Sequence, residues 1–180
     1  MGLKQSIKEL LEKYRIVGID TAAFIYQFEE NEEYLPFTNV LFEMIETGKI
    51  RGVTSTITLM EILVKPNRDG NERAVDEYKF ILQTFPNLEI RQVDAEVAER
   101  AAEIRARYGV RPRDALQVAA SLANNADVFI TNDEELKRIR EIEIVIMKEV
   151  LTMKRELPPT EVGGFQRLAG ALRLQPHLLV

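Results

Sequence analysis

Short apolar runs alternate with longer amphipathic stretches along most of this chain, which predicts strands and helices in turn. Ile7, Leu10 and Leu11 share one face of a leading helix within 5–13. A first strand is expected over 15–19, ending in Gly18-Ile19-Asp20-Thr21, and the helix from Thr21 carries Phe24, Ile25 and Phe28. Val40, Leu41, Met44 and Ile45 recur at helical spacing from about Leu35, and Gly48 stands where a helix would stop. The β-rich stretch 51–55 predicts a second strand, and 56–64 a helix. Pro66, Asn67, Asp69 and Gly70 mark 65–71 as a loop.

A long helix over 72–84 presents Val75, Tyr78, Ile81 and Leu82, and a third strand covers 88–93. Asp94 caps a helix through Val97, Ala101, Ile104 and Tyr108 that Gly109 ends. Pro112 opens a helix that is apolar on most sides and so belongs deep in the interior. Strands over 127–130 and 142–146, with a short helix between them, complete the pattern. Strands alternating with helices imply an α/β fold, three layers in α/β/α order around a central, mostly parallel sheet of about five strands.

Composition narrows the picture. The length of 180 residues fits one domain, expected over 1–156, with a C-terminal extension over 157–180. In that extension Phe165, Leu168, Ala169 and Leu172 form an amphipathic stripe suited to docking on its own domain or to a partner contact, unless the segment is an appended tail foreign to the domain. Cysteine is absent, which excludes disulfides, zinc–thiolate sites and a thiol nucleophile. Together with the lack of a membrane-spanning apolar run, this points to a cytoplasmic protein with no membrane role. A net charge of −5 argues against a broad basic groove for nucleic acid.

Candidate chemistry lies in four acids: Asp20, Glu61, Asp114 and Asp133. Each has a structural explanation. Asp20 can cap the helix after the first strand. Thr58-Leu59-Met60-Glu61 has the S/T-x-x-E form of a capping box. Asp114 and Asp133 both stand in or before a first helical turn, where acids suit the helix dipole. Jointly they say more, because Asp20 and Asp133 both follow predicted strands at one sheet edge. Four carboxylates in one crevice repel each other strongly unless cations fill it or protons are retained. An all-oxygen donor set suits Mg²⁺ or Mn²⁺.

With these motifs in order, the chain resembles the PIN-domain nucleases, and most closely the VapC-type toxin ribonucleases. The matching stretches are Gly18-Ile19-Asp20-Thr21, the run from Thr54 to Leu63, Arg113-Asp114-Ala115-Leu116-Gln117-Val118-Ala119-Ala120, and Phe129-Ile130-Thr131-Asn132-Asp133. The resemblance implies that Asp20, Glu61, Asp114 and Asp133 hold a Mg²⁺ or Mn²⁺ cofactor. It also implies that Thr131 is a catalytic hydroxyl positioning water or phosphate. RNA would be hydrolysed to 5′-phosphate and 3′-hydroxyl ends. Arg113 and Lys65 are candidates for binding substrate phosphate. A cognate antitoxin and a homodimer are the implied protein partners, the dimer through apolar helix faces around 35–45 and 72–84. Two positions depart from the family pattern: Ala22 and Ala23 where members often have Ser, and Glu135 where many have a second Asp.

Two rivals remain on the sequence. One is a PIN-like RNA- or protein-binding module without significant catalysis. The other is a phospho-acceptor receiver domain, which needs an acceptor after the third strand. Val93-Asp94 is followed there by helix-forming Ala95-Glu96-Val97, which disfavours it.

Overall fold

The structure is a computed structural model that describes residues 2–152. The extension beginning at Leu157, with its stripe at Phe165, Leu168, Ala169 and Leu172, lies outside the described residues. Five parallel strands form one sheet: β1 (Ile16–Ile19), β2 (Arg51–Ser55), β3 (Leu88–Arg91), β4 (Val128–Thr131) and β5 (Glu143–Ile146). Their order is β3-β2-β1-β4-β5, every neighbouring pair parallel. The chain therefore grows outward from β1 in one direction, then crosses back to grow in the other. Between β1 and β4 the connections diverge, and in open α/β sheets that switch point forms a crevice at the carboxyl ends of the strands.

Helices α1 (Leu3–Leu11), α2 (Thr21–Phe28), α3 (Leu35–Glu46), α4 (Thr56–Arg68), α5 (Glu72–Thr84), α6 (Ala95–Tyr108), α7 (Pro112–Ala123) and α8 (Met147–Thr152) surround the sheet. The two-residue period of the strands separates two cores. Val17, Ile19, Val128, Ile130 and Val145 pack with residues of α1, α2, α3, α5 and α8 on one face. Phe129 packs with α6 and α7 on the other, joined by partly buried Ile16 and Ile144. The expected three layers are what the structure shows, and the sheet is wholly parallel among the described residues.

Two elements differ from the sequence expectation. Residues 65–68 are helical, the last turn of α4, where Pro66 signalled a loop. Pro66 removes one donor at a helix end, its ring is buried, and the Asn67 side chain donates to the Leu63 carbonyl at 2.7 Å. The second is α8, six residues that leave β5 without a turn signal. Gly109 ends α6 as expected, in the left-handed region at φ +65°, with nothing within 4 Å of an added Cβ. Gly109→Ala is thus expected to lose about 1 kcal/mol from backbone strain alone, read by urea denaturation. An unchanged midpoint would refute that account.

Candidate active site

Asp20 follows β1 and begins α2, yet it makes no side-chain cap. Its carboxylate instead accepts from the Thr131 hydroxyl at 2.6 Å and from Gln117 Nε2 at 3.2 Å. The capping explanation for Asp20 therefore fails. Thr131 ends β4, is fully buried, and accepts the Asp133 N–H at 3.0 Å. One hydroxyl thus ties the ends of the two strands flanking the switch point. Its proton is directed at Asp20, so in this arrangement Thr131 holds an acid.

Glu61 lies in the second turn of α4, and the capping box read around it is absent. The helix starts earlier, with Ser55 as N-cap accepting the Ile57 N–H at 3.2 Å. Thr58, fully buried, accordingly points its hydroxyl into the protein, 2.9 Å from the Thr21 hydroxyl and 3.1 Å from Gln117 Oε1. Glu61 Oε2 accepts from the Thr21 hydroxyl, and Oε1 pairs with Arg113 Nη1 at 2.8 Å. Asp114, in the first turn of α7, is buried and accepts from Arg113 Nε at 3.1 Å. Asp133 keeps its capping role, accepting the Glu135 N–H at 2.9 Å, while its charge acts on Asp114.

The electrostatics follow from this convergence. Burial lifts the Asp20 carboxyl to about 6; the Thr131 hydrogen bond opposes the rise, and the charges of Asp114 and Glu61 add to it. Asp114 is raised by burial too, with the Arg113 hydrogen bond and charge pulling it down and Asp133 pushing it up. Asp20 thus carries the electrical strain expected of a carboxylate lacking a counter-ion. Arg113, half exposed, supplies that counter-charge for Glu61 and Asp114.

The donor set fits a hard divalent cation, since every candidate ligand atom is a carboxylate oxygen. As arranged, however, no group of three or more acids among the described residues is set to hold a metal ion. Lys65 lies one turn along α4 from Glu61, and none of the site's hydrogen bonds or ion pairs described above involves it. Glu135 pairs with Arg138 at 3.1 Å.

A family model for the PIN domain matches residues 17–142, a span that holds all four acids. The chain belongs to the PIN-domain family. This PIN domain shares its fold with a toxin–antitoxin complex from Klebsiella pneumoniae (TM-score 0.55, 19% identity, covering 74% of this chain and 97% of that one). It is also similar to VapBC2 from Rickettsia felis bound to a DNA fragment from their promoter (0.58, 19%, 73% and 98%). DNA-bound VapBC from Salmonella typhimurium is a third (0.58, 23%, 74% and 98%). No curated protein matches the sequence. The receiver-domain rival falls here as well: Asp94 caps α6 through the Val97 N–H at 3.0 Å and pairs with Arg91 at 2.9 Å.

Three polar residues of the crevice are absent from the site candidates read in the sequence: Thr21, Thr58, taken there for a helix cap, and Gln117. Gln117 had a usable signal, a long polar side chain inside the apolar run Ala115-Leu116-Gln117-Val118-Ala119-Ala120. Among the described residues, no helix is long and apolar enough to cross a membrane.

Proposed function

We propose that this PIN domain is a Mg²⁺- or Mn²⁺-dependent endoribonuclease of the VapC type, the toxin of a toxin–antitoxin pair. One observation carries the reading. Acids from three elements meet in one crevice: Gln117 Nε2 lies within 3.4 Å of both Asp20 and Glu61, and Arg113 bridges Glu61 to Asp114. Burial with this crowding raises the Asp20 carboxyl. A cation would relieve that burden.

Asp20, Glu61, Asp114 and Asp133 are the residues that would hold it. A bound divalent ion supplies Lewis acidity there, acidifying water and neutralising charge that develops on the phosphoryl group. The protein's part is positional. Thr131 fixes the Asp20 carboxylate, Thr21 fixes Glu61, and α7 presents Asp114 from its buried first turn. With Glu61 and Asp114 holding an ion, the Arg113 guanidinium would be free to bind a phosphate of the RNA. Half-exposed already, it can do so without unpacking the core. Lys65, one turn past Glu61, extends the positive edge for a flanking phosphate.

Purified protein is expected to cleave a labelled RNA with Mg²⁺ or Mn²⁺ and to stop when EDTA is added. Cleavage that persists in excess EDTA would sink the metal-dependent reading.

A non-catalytic binding module is the second reading, favoured by Arg113, which already neutralises two acids, and by the lack of a ready-made triad among the described residues. Calorimetry with Mn²⁺ separates the two, since a module that never binds the ion is not this nuclease. For protein partners, the apolar face of α3 is used in the protein's own core, while Phe80 on α5 and Met60 and Val64 on α4 stay about half exposed. Met60 and Val64 flank Glu61 and offer an antitoxin segment an apolar hold beside the crevice; Phe80 offers one to a second copy.

A further inference from the structure

Gln117 has no part in the four-acid scheme, yet it touches more of the crevice than any one acid does. It sits one turn beyond Asp114 on α7 and is 2% exposed. Its Nε2 lies 2.8 Å from Thr21 Oγ1, 3.2 Å from Asp20 Oδ1 and 3.4 Å from Glu61 Oε2. Its Oε1 accepts the Thr58 hydroxyl at 3.1 Å. The orientation of the carboxamide follows from chemistry. Ionised carboxylates only accept, so the NH₂ must face Asp20 and Glu61, and a flipped amide would set its oxygen against both.

An amide nitrogen has two protons for these three acceptors. The short contact to Thr21 takes one, and the other is drawn to Asp20, with Glu61 Oε2 alongside. Since the Thr21 hydroxyl in turn donates to Glu61, the Gln117 amide reaches both acids, one directly and one through a relay. Thr58 supports the arrangement from behind: its oxygen lies 2.8 Å from Thr54 Oγ1, which is itself 3.0 Å from the Ile19 carbonyl. A single neutral side chain on α7 thereby joins the end of β1, the start of α2 and the middle of α4.

Neutrality matters at this place. A Lys or Arg would satisfy the same acceptors, but it would bring a fixed positive charge into the crevice and oppose a divalent cation. An amide orients the carboxylates and leaves their negative charge available. We propose that Gln117 is a positioning residue that sets Asp20 and Glu61 in register with Asp114 for one divalent ion. This rests on the metal-dependent nuclease reading above.

Gln117→Met keeps length and neutrality and removes the donor. In the full chain, calorimetric affinity for Mn²⁺ alone is expected to fall about 10- to 100-fold, the range typical of lost outer-shell support. The kcat for RNA should fall with KM unchanged, because a buried amide does not meet the substrate. Thr38→Val is the control, a fully buried hydroxyl on α3 bonded to the Tyr34 carbonyl, whose loss should leave Mn²⁺ affinity untouched. If Gln117→Met does not fold, Thr58→Val removes the hydroxyl that holds the carboxamide and should weaken Mn²⁺ binding in the same direction. Mn²⁺ affinity within about twofold of the unaltered protein, in whichever of these variants folds, overturns the positioning role. If Asp114→Asn loses Mn²⁺ binding at the same time, the nuclease reading stands and only the role of Gln117 falls. No Mn²⁺ binding by the unaltered protein overturns both.

Discussion

Asp20→Asn is expected to cut RNA cleavage by about 10²- to 10³-fold while making the metal-free protein more stable at pH 7.5. The two effects have one origin. The native carboxyl titrates at about 6 against an ordinary value of 3.8, so between those values the folded state holds a proton that the unfolded state has released. Stability then falls as pH rises through that window, and the loss is complete above it. A shift of about two units corresponds to roughly 3 kcal/mol at most. Asn removes the penalty but cannot accept from both Thr131 and Gln117, which returns about 1 kcal/mol. The net gain is about 1–2 kcal/mol at pH 7.5, and it vanishes below about pH 4, where Asp20 is protonated in both states. Urea denaturation at the two pH values, with EDTA present, measures it. Equal stability of the two proteins at pH 7.5 would mean that Asp20 carries no such burden.

Gly18→Ala should destabilise the fold by about 3 kcal/mol and remove activity along with it. An added Cβ would lie 2.4 Å from Ser121 Oγ, 2.6 Å from Ser121 Cβ and 2.9 Å from Phe129 Cδ2. Both neighbours are buried, and the Ser121 Cβ cannot move without the backbone of α7. Gly18 is thus the point at which α7 lies directly on β1, and the close approach brings Asp114 and Gln117 within reach of Asp20. The rescue pattern tests this account. Ser121→Ala leaves the Cβ clash and should recover little. Ser121→Gly should recover part of the loss, less about 1 kcal/mol for a glycine within a helix. Equal rescue by both would show that the hydroxyl alone was the obstacle.

The layers of the fold were legible because β-rich or apolar stretches alternate with amphipathic ones along the chain, and Asp94, Gly109 and Pro112 mark helix ends by local chemistry. Asp20, Glu61, Asp114 and Asp133 were legible as types and in order. What each acid touches was not. Whether Asp20 caps α2 or turns to Thr131 depends on β4, which reaches β1 only through tertiary pairing. The capping box at Glu61 misled because Ser55 starts α4 one turn sooner, a matter of where β2 ends. Pro66 misled because it stands in the last turn of α4, where it removes a single donor, and because its ring is buried. Arg113 was read as a contact for phosphate, and its bridge between Glu61 and Asp114 emerges only when α4 and α7 are brought together.

The strand order also has a consequence in time. Thr131 and Asp20 are separated by 111 residues, and β4 is needed to close the crevice beside β1. A ribosome releases the first acid long before the last, so an unfinished chain holds Asp20 and Glu61 without Asp114, Thr131 or Asp133. On the nuclease reading, a partly made chain that still lacks β4 has no closed crevice with which to cut transcripts. A message broken upstream of the Asp114 codon would, on that reading, yield a fragment without the site.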